Sequence, residues 1–210
     1  MATPLAQRKR QLVQDELTRA ALGLLAGKGF EAVTVDEIVT AAGVSRRTFF
    51  RYFASKEDVV VQFLGDMGTG MCAELAIRPA HEPPSVALRH AVSVSIDACA
   101  GHDDRSLRVV RLILGTPALL ARFLERRAHW RDELAAALAH RLRLDPVTDP
   151  YPHLAAGVAL AAFDTVLHQW SGSNGTADPA ALTDRAFTVV APALDAVGQP
   201  CGPLSAGSVP

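Results

Sequence analysis

Apolar residues recur along this chain at three- and four-residue steps, and the strict alternation that marks strands is missing. The pattern predicts an all-helical protein. A first helix over residues 7–27 carries Val13, Leu17, Ala20, Ala21 and Leu24 as one stripe and stops at "GKGF", where Gly27 or Gly29 can take a left-handed cap. A second begins at "TVDE", where Glu37 stands three residues after Thr34 as in a capping box, and its apolar face is Val35, Ile38, Val39 and Ala42. Gly43 permits a tight turn. Ser45 caps a short third helix over residues 46–52, and Ser55, with Asp58 three positions on, caps a fourth over residues 56–77. "RPAHEPP" ends that helix. Further helices are predicted over residues 85–100, 104–114, 117–144, 152–171 and 179–197. A cap followed by proline is read at Thr116, Asp149 and Asp178, and Pro192 should kink or shorten the last helix. Residues 198–210 have turn-forming composition and are predicted to be disordered.

Charge sharpens this picture. The chain of 210 residues has a formal net charge of -1, so it is no polycation. Residues 1–56 nonetheless hold nine basic side chains against five acidic ones. Nucleic-acid binding would therefore rest on a local patch at the front. The three cysteines form no CxxC pair and are too scattered for a disulfide framework, which fits thiols in a reducing compartment. The opening residues hold no apolar signal core, and no run of about 18 uncharged apolar residues occurs. The expectation is a cytoplasmic protein without a membrane partner.

The stretch "AAGVSRRTFFRYFASKE", residues 41–57, sets four cations beside four aromatic rings. Two capped helices joined by a glycine turn, the second short and basic, make a helix-turn-helix pattern. Arg46 and Arg47 lie in the first turn of the second helix, where arginine can grip guanine O6 and N7 with two parallel hydrogen bonds. Ser45 and Thr48 can reach a phosphate or a base, and Tyr52 and Lys56 can reach phosphates. Phe49 and Phe53, four apart, would anchor the helix to the core.

The segment "FEAVTVDEIVTAAGVSRRTFFRYFASKEDVV" resembles the DNA-binding domain of the TetR family of bacterial transcriptional regulators, over roughly residues 8–62. The resemblance implies a homodimer, an N-terminal three-helix DNA-binding domain, and a larger helical domain for a small-molecule effector. By position it makes Thr34, Arg46, Arg47, Thr48, Phe50, Tyr52 and Lys56 the expected DNA contacts. The family commonly has Tyr where this chain has Phe50, so that phosphate contact is lost here. The implied organisation is a helix-turn-helix domain over residues 1–55, a helical effector and dimerisation domain over 56–197, and the tail.

"RLILGTPALLARFLERRAHWRDELAAALAHRL" and "DPYPHLAAGVALAAFDTVLHQW" resemble, more loosely, the C-terminal half of a TetR subgroup associated with acyl-CoA-like ligands. A pocket between helices is mostly apolar, and the candidates are Phe63, Met67, Met71, Arg111, Phe123, Trp130, Phe163 and Leu167. Arg111 could hold an anionic head group or lie on an exposed edge. Ala155, Ala156, Gly157, Ala159, Ala161 and Ala162 give the eighth helix a small-residue surface for a dimer partner.

An enzyme reading competes. Glu125, His129 and Glu133 fall on one helix face, and Asp164 and His168 form a second pair four apart. In facing helices such residues could bind a metal. Neighbouring Arg122, Arg126 and Arg131 explain the carboxylates equally well as surface ion pairs. No nucleophile triad motif, P-loop or GxGxxG stretch occurs. The sequence therefore predicts a DNA-binding regulator without cofactor, released from a palindromic operator by an apolar or acyl effector.

Overall fold

A computed structural model describes residues 4–100 and 104–196, and within them the chain forms nine helices and no strand. They are α1 (Pro4–Lys28), α2 (Val35–Ala41), α3 (Arg46–Tyr52), α4 (Lys56–Ile77), α5 (Pro84–Ala100), α6 (Asp104–Gly115), α7 (Pro117–Leu142), α8 (Tyr151–Gly172) and α9 (Pro179–Leu194). The predicted tail, Cys201 within it, and the side chain of Cys99 lie outside the described residues.

The front three helices form as their local chemistry dictates. Thr34 and Glu37 make a complete capping box, the Thr34 hydroxyl accepting from the Glu37 amide at 3.3 Å and Glu37 accepting from the Thr34 amide at 2.9 Å. The Ser45 hydroxyl accepts from the Thr48 amide at 3.1 Å. Ser55 and Asp58 repeat the box at the start of α4. Gly29 and Gly43 take the two left-handed turns, at φ +87° and +64°. The predicted stripe of α1 holds at Leu17 and Ala21, which are fully buried, and continues through Leu25 in place of Leu24; Val13, Ala20 and Leu24 are only partly buried.

Later boundaries shift by local causes. α7 stops at Leu142 because Arg143 takes the left-handed cap at φ 57°, two residues before the predicted end. α9 ends at Leu194, two residues past Pro192 and short of residue 197. Of the three cap-and-proline sites, Asp178 is the N-cap of its helix and caps with its side chain, accepting from the amides of Ala180 and Ala181. Thr116 makes no side-chain cap bond, and the cap of α8 is Pro150, with Asp149 accepting from the Tyr151 amide at 2.8 Å.

Packing runs through α4. It lies against α1 at the front and against α5 and α7 behind, while α8 packs on α7 and α9. A continuous apolar core joins Phe49 and Phe53 of the front helices, Leu64 and Met71 of α4, Trp130 of α7 and Phe163 of α8. Each such side chain contributes about 1.5–3 kcal/mol on burial. Any shift of α4 is thus felt at both ends of the molecule.

Candidate nucleic-acid interface and effector slot

Phe49 fixes the aim of α3. Its ring is fully buried, 5.6 Å from Phe53 and edge-on to Phe50 at 5.4 Å, as the four-residue spacing predicts. With that face inward, Ser45, Arg47, Thr48, Phe50 and Arg51 line a shallow concave patch on the opposite face. Phe50 stands half-exposed there with the Arg46 guanidinium over its ring at 5.9 Å. Arg46 also pairs with Asp36 of α2 at 3.2 Å. Both partners are well exposed, so the pair costs little to exchange for another acceptor. The Tyr52 hydroxyl accepts from Arg51, whose guanidinium covers the Tyr52 ring at 5.0 Å. The Thr34 hydroxyl is engaged in its own capping box.

Lys56, an expected phosphate contact, is engaged within the protein. Its ammonium donates to the Phe30 carbonyl at 2.6 Å and the Val33 carbonyl at 3.1 Å, and sits over the Phe30 ring at 4.4 Å. Two of its three N–H donors are thereby committed to the turn before α2. A second tie crosses the same turn: Lys28 donates to Glu37 at 2.6 Å. That bond, with the Thr34 amide, holds the Glu37 carboxyl down at about 2.

In the larger half, four of the eight predicted pocket residues come together. Phe63, Met67, Phe123 and Leu167 line an apolar slot with Leu64, Val110, Ile113 and Leu114. The slot is closed: its cavity volume is about 10 Å³, the size of one water. Trp130 and Phe163 adjoin it, each fully buried. Trp130 stacks edge-on between Phe123 at 5.9 Å and Phe163 at 6.0 Å. Met71 is fully buried in the core one turn beyond. Arg111 is not a pocket residue. Its guanidinium donates to the Ser171 carbonyl at 2.7 Å and to Asn174, tying α6 to the turn after α8, so it is the edge alternative that the structure selects. Sequence reasoning missed Gly65 and Gly68 of α4. A Cβ built on Gly68 would stand 2.1 Å from the Trp130 ring, so the indole lies directly on the α4 backbone. Glycines inside a predicted helix were the available signal.

The metal reading fails on geometry. His129 and His168 turn their Nδ1 atoms to the carbonyls of Glu125 and Asp164, Glu125 pairs with Arg122, and Asp164 pairs with Arg127 at 2.7 Å. Among the described residues no group of three His, Cys, Asp or Glu could hold an ion. No helix among them is long and apolar enough to cross a membrane. Cys72 is a half-buried thiol on α4, its pKa pushed up by burial and by Glu133.

The small-residue surface of α8 divides. Ala155, Ala156 and Ala159 are buried inward, whereas Val158, Ala161 and Thr165 line an apolar groove with Val189 and Val190 of α9. Val189 is 80% exposed.

Comparison with known proteins agrees with this architecture. The family model for bacterial regulatory proteins of the tetR family matches residues 17–63, and that for the MftR C-terminal domain matches residues 82–195. The chain is 34% identical over 172 residues to the HTH-type transcriptional regulator TcmR of Streptomyces glaucescens, covering 79% of this chain and 76% of that protein. It is 34% identical over 200 residues to a Mycobacterium tuberculosis protein that carries the name of a mycofactocin biosynthesis transcriptional regulator, MftR, covering 91% and 96%. The fold is also that of FadR from Bacillus subtilis, solved in complex with stearoyl-CoA, at a TM-score of 0.64 and 20% identity over 84% of this chain and 97% of that one.

Proposed function

Since this chain belongs to the TetR family of bacterial regulatory proteins and is a DNA-binding transcriptional regulator, we propose that it is a repressor that binds a palindromic operator as a homodimer and is released by an acyl-type effector. Residues 1–55 form the DNA-binding unit in this reading, and residues 56–197 the effector and dimerisation unit. The observation that carries it is α3: a helix buried on one side by Phe49 that offers Arg47, Thr48, Phe50 and Arg51 on the other. Arg47 reads a guanine, Arg46 exchanges Asp36 for DNA, Ser45 and Thr48 take phosphate or base, and Phe50 packs on sugar or a thymine methyl. Tyr52 and Thr34 flank the backbone. Lys56 acts from behind, as a strut that holds the turn carrying α2.

A second copy covers the groove of α8 and α9, placing two recognition helices about 34–36 Å apart. The effector lodges along α4, α7 and α8. The closed slot supports this by its lining, and its size requires the helices to part, since ligand pockets span about 300–1,000 Å³. Parting them displaces α4, alters the spacing of the two DNA-binding units and weakens operator binding, with reciprocal coupling. The reading includes no catalytic step.

Fluorescence anisotropy with the duplex upstream of the chain's own gene tests it, run beside a scrambled duplex and the Arg46→Ala/Arg47→Ala double mutant. Sequence-selective binding that the double mutant loses, and that stearoyl-CoA weakens, is expected. Stearoyl-CoA that stabilises the protein yet leaves operator affinity unchanged would sink the release mechanism.

A further inference from the structure

Two conformational costs meet at one point in the core. Trp130 is fully buried, yet its indole Nε1 has no acceptor. A buried donor left unpaired costs on the order of 1–3 kcal/mol. One turn earlier on α7, the Nε of Arg126 is also buried and unpaired. Both side chains lie over the same stretch of α4, where Gly68 leaves the room that the indole fills and Gly65 is in ordinary contact range of Arg126. The Trp130 Nε1 is 2.2 Å from where a Gly68 Cβ would stand, and the Arg126 guanidinium 3.5 Å from where a Gly65 Cβ would stand. Glycine inside a helix costs about 1 kcal/mol against alanine. These two unpaired donors lie over α4 beside a slot whose walls are wholly apolar.

We propose that these two unpaired donors form the head-group site of the effector: Trp130 Nε1 and Arg126 donate hydrogen bonds to a carboxylate or acyl carbonyl oxygen, and the hydrocarbon chain enters the slot of Phe63, Met67, Phe123 and Leu167. The inference rests on the acyl-effector reading above and names the residues that would enforce it. Two donors separated by one helical turn suit one acyl group, and the guanidinium favours a charged oxygen. The indole already touches both Phe123 and Phe163, so a ligand oxygen that draws Nε1 away from Gly68 opens the slot as it binds. Gly65 and Gly68 then have the additional effect of softening α4 where the displacement is applied.

Trp130→Phe keeps the ring and deletes the donor. Lauric and palmitic acids, free and as CoA thioesters, with the matching alcohols, are titrated calorimetrically into full-length wild-type protein, Trp130→Phe and Arg126→Met, after each sample has been tested on operator DNA. Acyl probes are expected to bind wild type, with Kd about tenfold weaker in each variant, and alcohols to bind more weakly than acids. The stability of Trp130→Phe balances the removed orphan donor against the cavity that the smaller ring leaves, so the Kd of the folded variant decides. A purely structural role for the indole predicts an unchanged Kd. An unchanged Kd in both variants overturns the proposal. So does a wild-type sample that binds operator but none of the acyl probes, which leaves the regulator reading standing.

Discussion

Replacing Lys56 with methionine separates two roles for a side chain that sits at the hinge between the DNA-binding helices and α4. As a phosphate anchor, Lys56 would contribute counterion release and little stability. As a strut, it holds two carbonyls, of Phe30 and Val33, and one ring. Hydrogen bonds to a charged donor contribute about 1.5–3 kcal/mol each, and the cation–ring contact about 0.5–1 kcal/mol. Against these stands the desolvation of a half-buried ammonium, which methionine avoids while keeping the apolar stem. The two carbonyls must also be rehydrated. The net loss is about 2 kcal/mol, which for a chain of this size lowers Tm by roughly 4–8 °C. Operator affinity falls at every salt concentration because the turn before α2 loosens. The slope of log K against log salt stays near the wild-type value, because no phosphate contact is lost. The assays are differential scanning calorimetry and operator anisotropy across a salt series. An unchanged Tm with a slope shallower by about 0.9 per contact would refute the strut and restore the anchor.

Gly68→Ala drives a methyl group into the Trp130 ring and should destabilise by about 1–3 kcal/mol less the helix gain. Gly65→Ala meets Arg126 only at contact distance and should stabilise by about 0.5–1 kcal/mol, both read by urea denaturation. The Glu37 carboxyl is lowered from 4.5 to about 2 by Lys28 and the Thr34 amide, so its stabilisation is present above pH 4.5 and is lost as pH falls toward 2. Glu37→Gln should flatten that part of the acid-unfolding profile. Val189→Glu places a charge on the exposed α8–α9 groove and should shift the protein from dimer to monomer in sedimentation equilibrium without lowering helix content. Arg47→Ala should cost about 1–3 kcal/mol on the operator and little on a scrambled duplex.

What the sequence made legible follows from the range of the interactions involved. Thr34 with Glu37, Ser45 with Thr48 and Ser55 with Asp58 are bonds three residues long, so their patterns can be read directly, and α2, α3 and α4 begin where they predict. The bundle's helix ends are satisfied differently. Arg141 donates to the carbonyls of Arg78 and Glu82 beyond α4, about sixty residues back, and Asp195 accepts from the Ser85 amide at the start of α5, 110 residues away. The Tyr151 hydroxyl donates to the Leu194 carbonyl at the end of α9. No local window contains these pairs. The partners of Arg111 and Lys56 were illegible for the same reason: each could be given a face from periodicity, but each spends donors on carbonyls supplied by another part of the chain.

This division of range bears on how a signal could cross the molecule. α4 is tied at both ends by long-range bonds, to the α1–α2 turn through Lys56 and at its C-terminal end through Arg141. Between those ties it carries Gly65, Gly68 and Gly70. A helix held at its ends and made of poor helix formers in its middle yields most readily by bending there. The orphan donors of Arg126 and Trp130 bear on that same middle turn. In the proposed release mechanism, a displacement at Gly68 would reach Lys56 at the front end of α4, and through the Phe30 and Val33 carbonyls the turn that leads into α2. The ties that were illegible in the sequence are thus the ones that would convert occupation of the slot into a movement of α3.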